Sequence, residues 1–220
     1  MPAPYLALLF DMDGVLIDSE PLHEQAKRVV FERYGLDVPE DFYDEVKGKT
    51  DQHVFELVMA RYGRNGLDLA TLIADKHAAY EALLPSLRMV PGALGFLQEV
   101  RRQYRTALTT SATRRNQELA FARFSLHACF EVVVTAADVS RPKPEPDPYL
   151  VTAERLGLPP ARCLVIEDAV NGVLSARAAG CDVAGLTTSF AAAPLREAGA
   201  TVVVDSYEAL RAWLAEQAAR

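Results

Sequence analysis

Four groups of polar side chains break an otherwise ordinary chain, and each is of a kind that does chemistry. Asp11 and Asp13 stand one residue apart, immediately after the apolar residues 5–10, and Gly14 follows them. Side chains of extended backbone alternate, so both carboxylates face one way if that geometry continues through Met12. Like charges held together need a compensating cation or proton, and a hard divalent ion with oxygen ligands fits that need. Further on, Thr109-Thr110-Ser111 gathers three hydroxyls, a pattern that equally suits a helix cap. Lys143 lies in Arg141-Pro142-Lys143-Pro144-Glu145-Pro146-Asp147, where flanking prolines deny it a helix and stiffen the backbone. Such a frame suits an ammonium that must be held in place against anions. The chain has five lysines against eighteen arginines, which gives the lysine at this position added weight. Finally, Glu167-Asp168 closes the apolar run Leu164-Val165-Ile166, just before the small-residue stretch that opens with Asn171 and Gly172. Two acids there would also complement a helix dipole.

These groups need elements to position them. Residues 5–10 are too short and too uniformly apolar for an amphipathic helix and read as a strand buried on both faces. Ser19 with Pro21 marks a helix start, and the helix should run over 20–34. Two more helices are expected over 51–62 and 69–84, separated by the turn Arg64-Asn65-Gly66. No strand is expected between 17 and 88, so this segment reads as a helical domain inserted after the first strand, with the core formed by 1–16 and 89–220. Beyond Pro91 the elements alternate. Helices are expected over 92–104, 116–124, 149–156, 172–179 and 207–218. Strands are expected over 106–110, 131–135, 163–166, 183–186 and 201–204. Alternation of this kind implies an α/β fold, a doubly wound parallel-sheet (Rossmann-like) core carrying the helical insert. Ligands of such sheets bind at the carboxyl ends of the strands, where all four polar groups fall.

Composition narrows the function. Half the residues are hydrophobic and about a quarter charged, as in a soluble globular protein. A net charge of −7 argues against a nucleic-acid partner. No apolar run reaches membrane-span length, and the N-terminus lacks the basic region of a secretory signal. Cys129, Cys163 and Cys181 form no Cys-x-x-Cys pair and read as buried reduced thiols of a cytoplasmic protein; a monomer is expected.

Asp11-Met12-Asp13-Gly14-Val15 resembles the first signature of the haloacid dehalogenase-like superfamily, in its phosphate-transferring branch. Thr110, the Lys143 segment and Glu167-Asp168 resemble its second, third and fourth signatures, in the same order. The resemblance implies that Asp11 is a nucleophile forming an aspartyl-phosphate and that Asp13 is the general acid/base. It makes Thr110, with the backbone N–H of Ser111, a holder of the transferring phosphoryl group, and sets Lys143 against the nucleophile. Mg²⁺ would be bound by Asp11, the Asp13 carbonyl and Asp168, with Glu167 through water or in the outer shell. Asn171, beside the fourth signature, joins the substrate-binding candidates. The helical insert would be a cap contributing specificity, with Ser19, His23, Lys47, Lys49, Asp51 and Lys76 as candidate residues. The implied activity is hydrolysis of a small phosphorylated metabolite, a sugar or polyol phosphate.

Three other readings share some of these parts. A phospho-receiver domain places its phosphoacceptor on a later strand and lacks the insert. A true dehalogenase needs neither Asp13 nor Asp168. A mutase resembling β-phosphoglucomutase shares all four signatures and His23. Its cap pattern Lys-Gly-x-Ser-Arg supplies an arginine for a second phosphate, whereas this chain reads Lys47-Gly48-Lys49-Thr50-Asp51. An acid in place of that guanidinium would repel a dianion, which favours the phosphatase. Lys49 or Lys76 could compensate only as a point charge.

Overall fold

The computed structural model describes residues 5–46, 49–63 and 66–219. Among them are eight strands: β1 (Ala7–Phe10), β2 (Ile17–Asp18), β3 (Arg88–Met89), β4 (Arg105–Thr109), β5 (Val132–Val134), β6 (Cys163–Glu167), β7 (Asp182–Leu186) and β8 (Val202–Val204). Ten α-helices accompany them: α1 (Glu20–Arg33), α2 (Asp41–Glu45), α3 (Asp51–Tyr62), α4 (Leu69–Leu83), α5 (Ala93–Val100), α6 (Arg114–Phe124), α7 (Asp147–Leu156), α8 (Val170–Ala178), α9 (Ala192–Glu197) and α10 (Tyr207–Ala219). The chain divides into two compact units, one running to Asp18 and resuming at Arg88, the other spanning Ser19–Leu87.

The first unit is the α/β core. Six strands form one sheet in the order β5-β4-β1-β6-β7-β8, with every pairing parallel. All four residues of β1 are fully buried, as a central strand covered on both faces requires. Its register sets Phe10 opposite both Leu108 of β4 and Ile166 of β6. Asp11, Thr109 and Glu167 therefore leave the sheet side by side. Tyr149, Ala153 and Leu156 of α7 and Val173 and Ala176 of α8 pack with Leu9 and Val165 in one apolar cluster. These two helices are thereby fixed against the strands that end in the polar groups.

The segment between 17 and 88, expected from its sequence to be helical throughout, is not wholly so. Its two ends pair as the antiparallel strands β2 and β3, with Ile17 opposite Met89. Strands of two residues leave no readable periodicity. Two short helices, α2 and α9, also went unsignalled, and the helix expected over 92–104 gives way to turns after Val100.

The second unit packs α1, α3 and α4 around Val30, Phe31, Val54, Phe55, Val58 and Leu72. Thr50 caps α3 by accepting from the His53 N–H, and Asp68 caps α4 by accepting from the Thr71 N–H. The buried positions of α4 are Leu72, Lys76 and Tyr80, spaced four apart on one face. A lysine thus occupies the apolar stripe. Arg64 and Asn65 of the expected turn and the candidate Lys47 lie outside the described residues.

Candidate active site

After Phe10 the chain turns back on itself, with the Met12 carbonyl accepting from the N–H groups of both Leu16 and Ile17. Gly14 has φ +73°, and a Cβ there would lie 1.8 Å from Asp168 Oδ2. Only glycine lets the turn pass so close to that acid. The Thr188 hydroxyl donates to the Gly14 carbonyl at 2.5 Å, pinning the turn from the loop after β7.

Lys143 reaches into this corner from the proline-framed loop. Its Nζ donates to Asp11 Oδ1 at 2.6 Å, to Glu167 Oε1 at 2.6 Å and to the Thr109 carbonyl at 3.1 Å. All three ammonium protons are thus spent, and the side chain is only 7% exposed. Burial disfavours the charge, yet Asp11 and Glu167 outweigh it and hold the Lys143 pKa well above the ordinary lysine value. The loop itself is tied down by the Ser175 hydroxyl, which donates to the Glu145 carbonyl at 2.5 Å.

The carboxylates divide into two kinds. Glu167 is 1% exposed and fully engaged. Its Oε1 accepts from Lys143 and from the Tyr149 hydroxyl, and its Oε2 accepts from the backbone N–H groups of Asp168 at 3.0 Å and Ala169 at 3.2 Å. Four donors fill the acceptor capacity of a carboxylate. Asp11 and Asp168 are buried acids without that saturation. Burial pushes Asp11 up to about 7, with Glu167 and Asp13 adding to the rise and Lys143 opposing it. Asp168 is raised well above the usual carboxylate range by burial and by Glu167 and Asp11, against a hydrogen bond from Ser189.

Oxygen atoms of Asp11, Glu167 and Asp168 all lie within 4.8 Å of one another. A buried, all-carboxylate donor set in which Asp11 and Asp168 have raised proton affinities fits a hard divalent cation such as Mg²⁺. Asp11 and Asp168 are the carboxylates with capacity for it, because Glu167 is taken. The Asp13 side chain stands outside this group of three, half-buried, but near enough to raise Asp11.

Thr110 is 4% exposed, and its hydroxyl accepts from the Ala112 N–H at 3.0 Å, which leaves the hydroxyl proton free to donate outward. Ser111 is exposed at the strand end, and Asn171 is exposed on the first turn of α8. In the second unit, Lys76 is buried and donates to Asp51 Oδ2 at 2.7 Å, with Nζ 2.9 Å from His23 Nδ1. The His23 ring stacks on Tyr80 at 4.2 Å between centroids. Burial and the Lys76 ammonium lower the His23 pKa to about 3. Ser19 is buried at the start of α1, while Lys49 is exposed. Sequence reasoning passed over Tyr149, Thr188 and Ser189. The last two sit at the end of β7, and their position at a strand end was the available signal. A concavity of about 710 Å³ lies at the opposite end of β4, lined by Leu6, Arg101, Arg105 and Phe130 among others, and none of the signature residues borders it.

A parallel sheet whose central strands end in converging carboxylates, a framed lysine and a hydroxyl defines a site built to handle a charged, oxygen-rich group. The chain belongs to the haloacid dehalogenase-like hydrolases, whose family model matches residues 8–186. It is 34% identical over 209 residues to the phosphorylated carbohydrates phosphatase of Thermotoga maritima, covering 93% of this chain and 96% of that one. Hexitol phosphatase A of Escherichia coli is 37% identical over 80% of each chain. A Thermotoga maritima crystal structure described as a "putative beta-phosphoglucomutase" superposes with a TM-score of 0.82 at 32% identity, covering 94% of this chain and 97% of that one. Among the described residues, no helix is long and apolar enough to cross a membrane.

Proposed function

We propose that this protein is a Mg²⁺-dependent phosphomonoester hydrolase that works through an aspartyl-phosphate on Asp11, with a small sugar or polyol phosphate as substrate. The observation that carries this reading is the Lys143 ammonium bonded to Asp11 Oδ1 while Glu167 and Thr109 hold its other protons. A carboxylate attacks a phosphoryl group only if the charge on both is offset, and a fixed ammonium offers that without reorganisation. Asp11, Asp168 and the Asp13 carbonyl would hold the ion, whose contribution is to neutralise phosphoryl oxygens. The Thr110 hydroxyl proton and the Ser111 N–H orient the transferring group. Asp11 bonds to phosphorus as the ester bond breaks, and Asp13 gives its proton to the departing alkoxide. Asp13 then takes a proton from water as that water attacks phosphorus and frees Asp11.

The helical unit is read as the specificity element, with Ser19, His23, Lys49, Asp51 and Lys76 as its candidate residues. Names borne by the relatives support a phosphorylated carbohydrate as the substrate class. Three buried free cysteines support a reducing, cytoplasmic setting, and a monomer is the simplest working state.

The mutase reading draws support from the His23–Lys76 pair and from the description of the Thermotoga structure. Against it, Asp51 binds Lys76, so the lysine that would have to stand in for the missing arginine already has a carboxylate partner. Incubation with β-glucose 1-phosphate, Mg²⁺ and a trace of the 1,6-bisphosphate separates the two. Release of phosphate from this and other monoesters supports the hydrolase; rapid glucose 6-phosphate formation with little free phosphate overturns it.

A further inference from the structure

Beyond the signature residues, one buried group touches the site at the atom on which its geometry turns. The Tyr149 side chain is wholly buried, and its hydroxyl donates to Glu167 Oε1 at 2.8 Å. That same oxygen accepts from Lys143, whose Nζ lies 5.0 Å from the Tyr149 ring centroid. One turn along α7, Thr152 donates to the Pro148 carbonyl at 2.8 Å, and its hydroxyl oxygen is 2.7 Å from that of Thr109. Residues three apart share a helix face. A single face of α7 therefore supports both acceptors, Glu167 and Thr109, that hold Lys143 besides Asp11. Phenylalanine would fill the same volume at position 149. What the hydroxyl adds is the fourth donor that saturates the Glu167 carboxylate and stops it from rotating.

We propose that Tyr149 is a positioning residue, which locks Glu167 and through it aims Lys143 at Asp11; the inference rests on Asp11 being the nucleophile. With the hydroxyl gone, Glu167 Oε1 keeps only Lys143, and the carboxylate can pivot about the two backbone N–H bonds on Oε2, drawing the ammonium off Asp11. Outer-shell partners of this kind typically change activity by about 10- to 100-fold.

The test is Tyr149→Phe, alone and combined with Glu167→Gln, beside Asp11→Asn as a control. Turnover of p-nitrophenyl phosphate gives kcat and KM, calorimetric titration with Mg²⁺ gives a binding constant independent of turnover, and thermal melts report the fold. Tyr149→Phe is expected to lower kcat about tenfold or more, with KM and the Mg²⁺ constant within about twofold and the melting temperature little changed. In the Glu167→Gln background the same change should cost less than about twofold, because the two residues act as one unit. An unaltered kcat, full additivity with Glu167→Gln, or loss of Mg²⁺ binding and fold along with activity would each overturn the proposal. If Asp11→Asn is inactive while Tyr149→Phe is normal, only the role of Tyr149 fails. If Asp11→Asn turns over freely, the reading of the nucleophile fails first.

Discussion

Lys143 Nζ lies 2.6 Å from Asp11 Oδ1, although 132 residues separate them in the chain. The contact depends on three features that the sequence sets separately. β1 must lie between β4 and β6, the proline-framed loop must face the end of β1, and Glu167 must hold the ammonium from behind.

Lys143→Met should therefore damage both function and stability. Removing one member of a buried ion pair typically costs about 3–5 kcal/mol, because the partner is left uncompensated. Activity should fall by at least about 10²-fold, the scale for loss of one fixed electrostatic donor. Denaturant melts and initial rates on a phosphomonoester check the two effects, and a variant close to wild type in both would refute the role of the contact.

The approach of α8 to Glu167 gives a second expectation. A Cβ at Gly172 would lie 1.8 Å from Glu167 Oε1 and 1.9 Å from its carboxyl carbon. Gly172→Ala cannot be absorbed without moving either the helix or the glutamate. Overpacking of this sort costs about 1–3 kcal/mol, and kcat should fall because the displaced group is the one bracing Lys143. Stability and kcat both unchanged would show that the helix start yields freely.

Much of the core site was legible because its parts sit at strand ends, where an apolar run stops abruptly at a polar pair. Asp11 and Glu167-Asp168 could be found that way, Lys143 from the prolines that frame it, and the burial of β1 on both faces from its unbroken apolar run. Tyr149 was not legible. In sequence it is an ordinary aromatic on the inner face of α7, and nothing local shows that its hydroxyl meets a glutamate eighteen residues on. The saturation of Glu167 was hidden for the same reason, since two of its four donors are remote side chains. In the helical unit, Asp51 and Lys76 were recognised singly, and only the packing of α3 against α4 reveals them as a pair.

That unit supplies the pH prediction. His23 has its pKa lowered to about 3 by burial and the Lys76 ammonium, while an unfolded histidine titrates near 6.5. Between these values the unfolded chain binds a proton that the folded one refuses, so stability falls as pH drops from 6.5 towards 3. His23→Asn should flatten this loss, by up to about 1.4 kcal/mol per pH unit. The Asp51 pKa is lowered as well, so its own loss on acidification belongs below the ordinary aspartate value of 3.8. Melting curves of the two proteins between pH 4.5 and 6.5 isolate the histidine, and parallel curves would exclude it.

Chelation followed by metal add-back tests the acidic cluster. Mg²⁺ should restore activity, whereas Ca²⁺, with its looser and higher coordination, should fail to restore it and compete with Mg²⁺. Full activity after exhaustive chelation would contradict the assignment of Asp11 and Asp168 as ion ligands.

Whether Asp11 itself attacks phosphorus is read from the rate of p-nitrophenyl phosphate turnover by Asp11→Asn. Asparagine keeps the shape and one carbonyl oxygen but cannot form the acyl phosphate. The variant should fold, with activity reduced by at least about 10³-fold, as for loss of a nucleophile. Turnover within about tenfold of the wild-type rate would contradict that role.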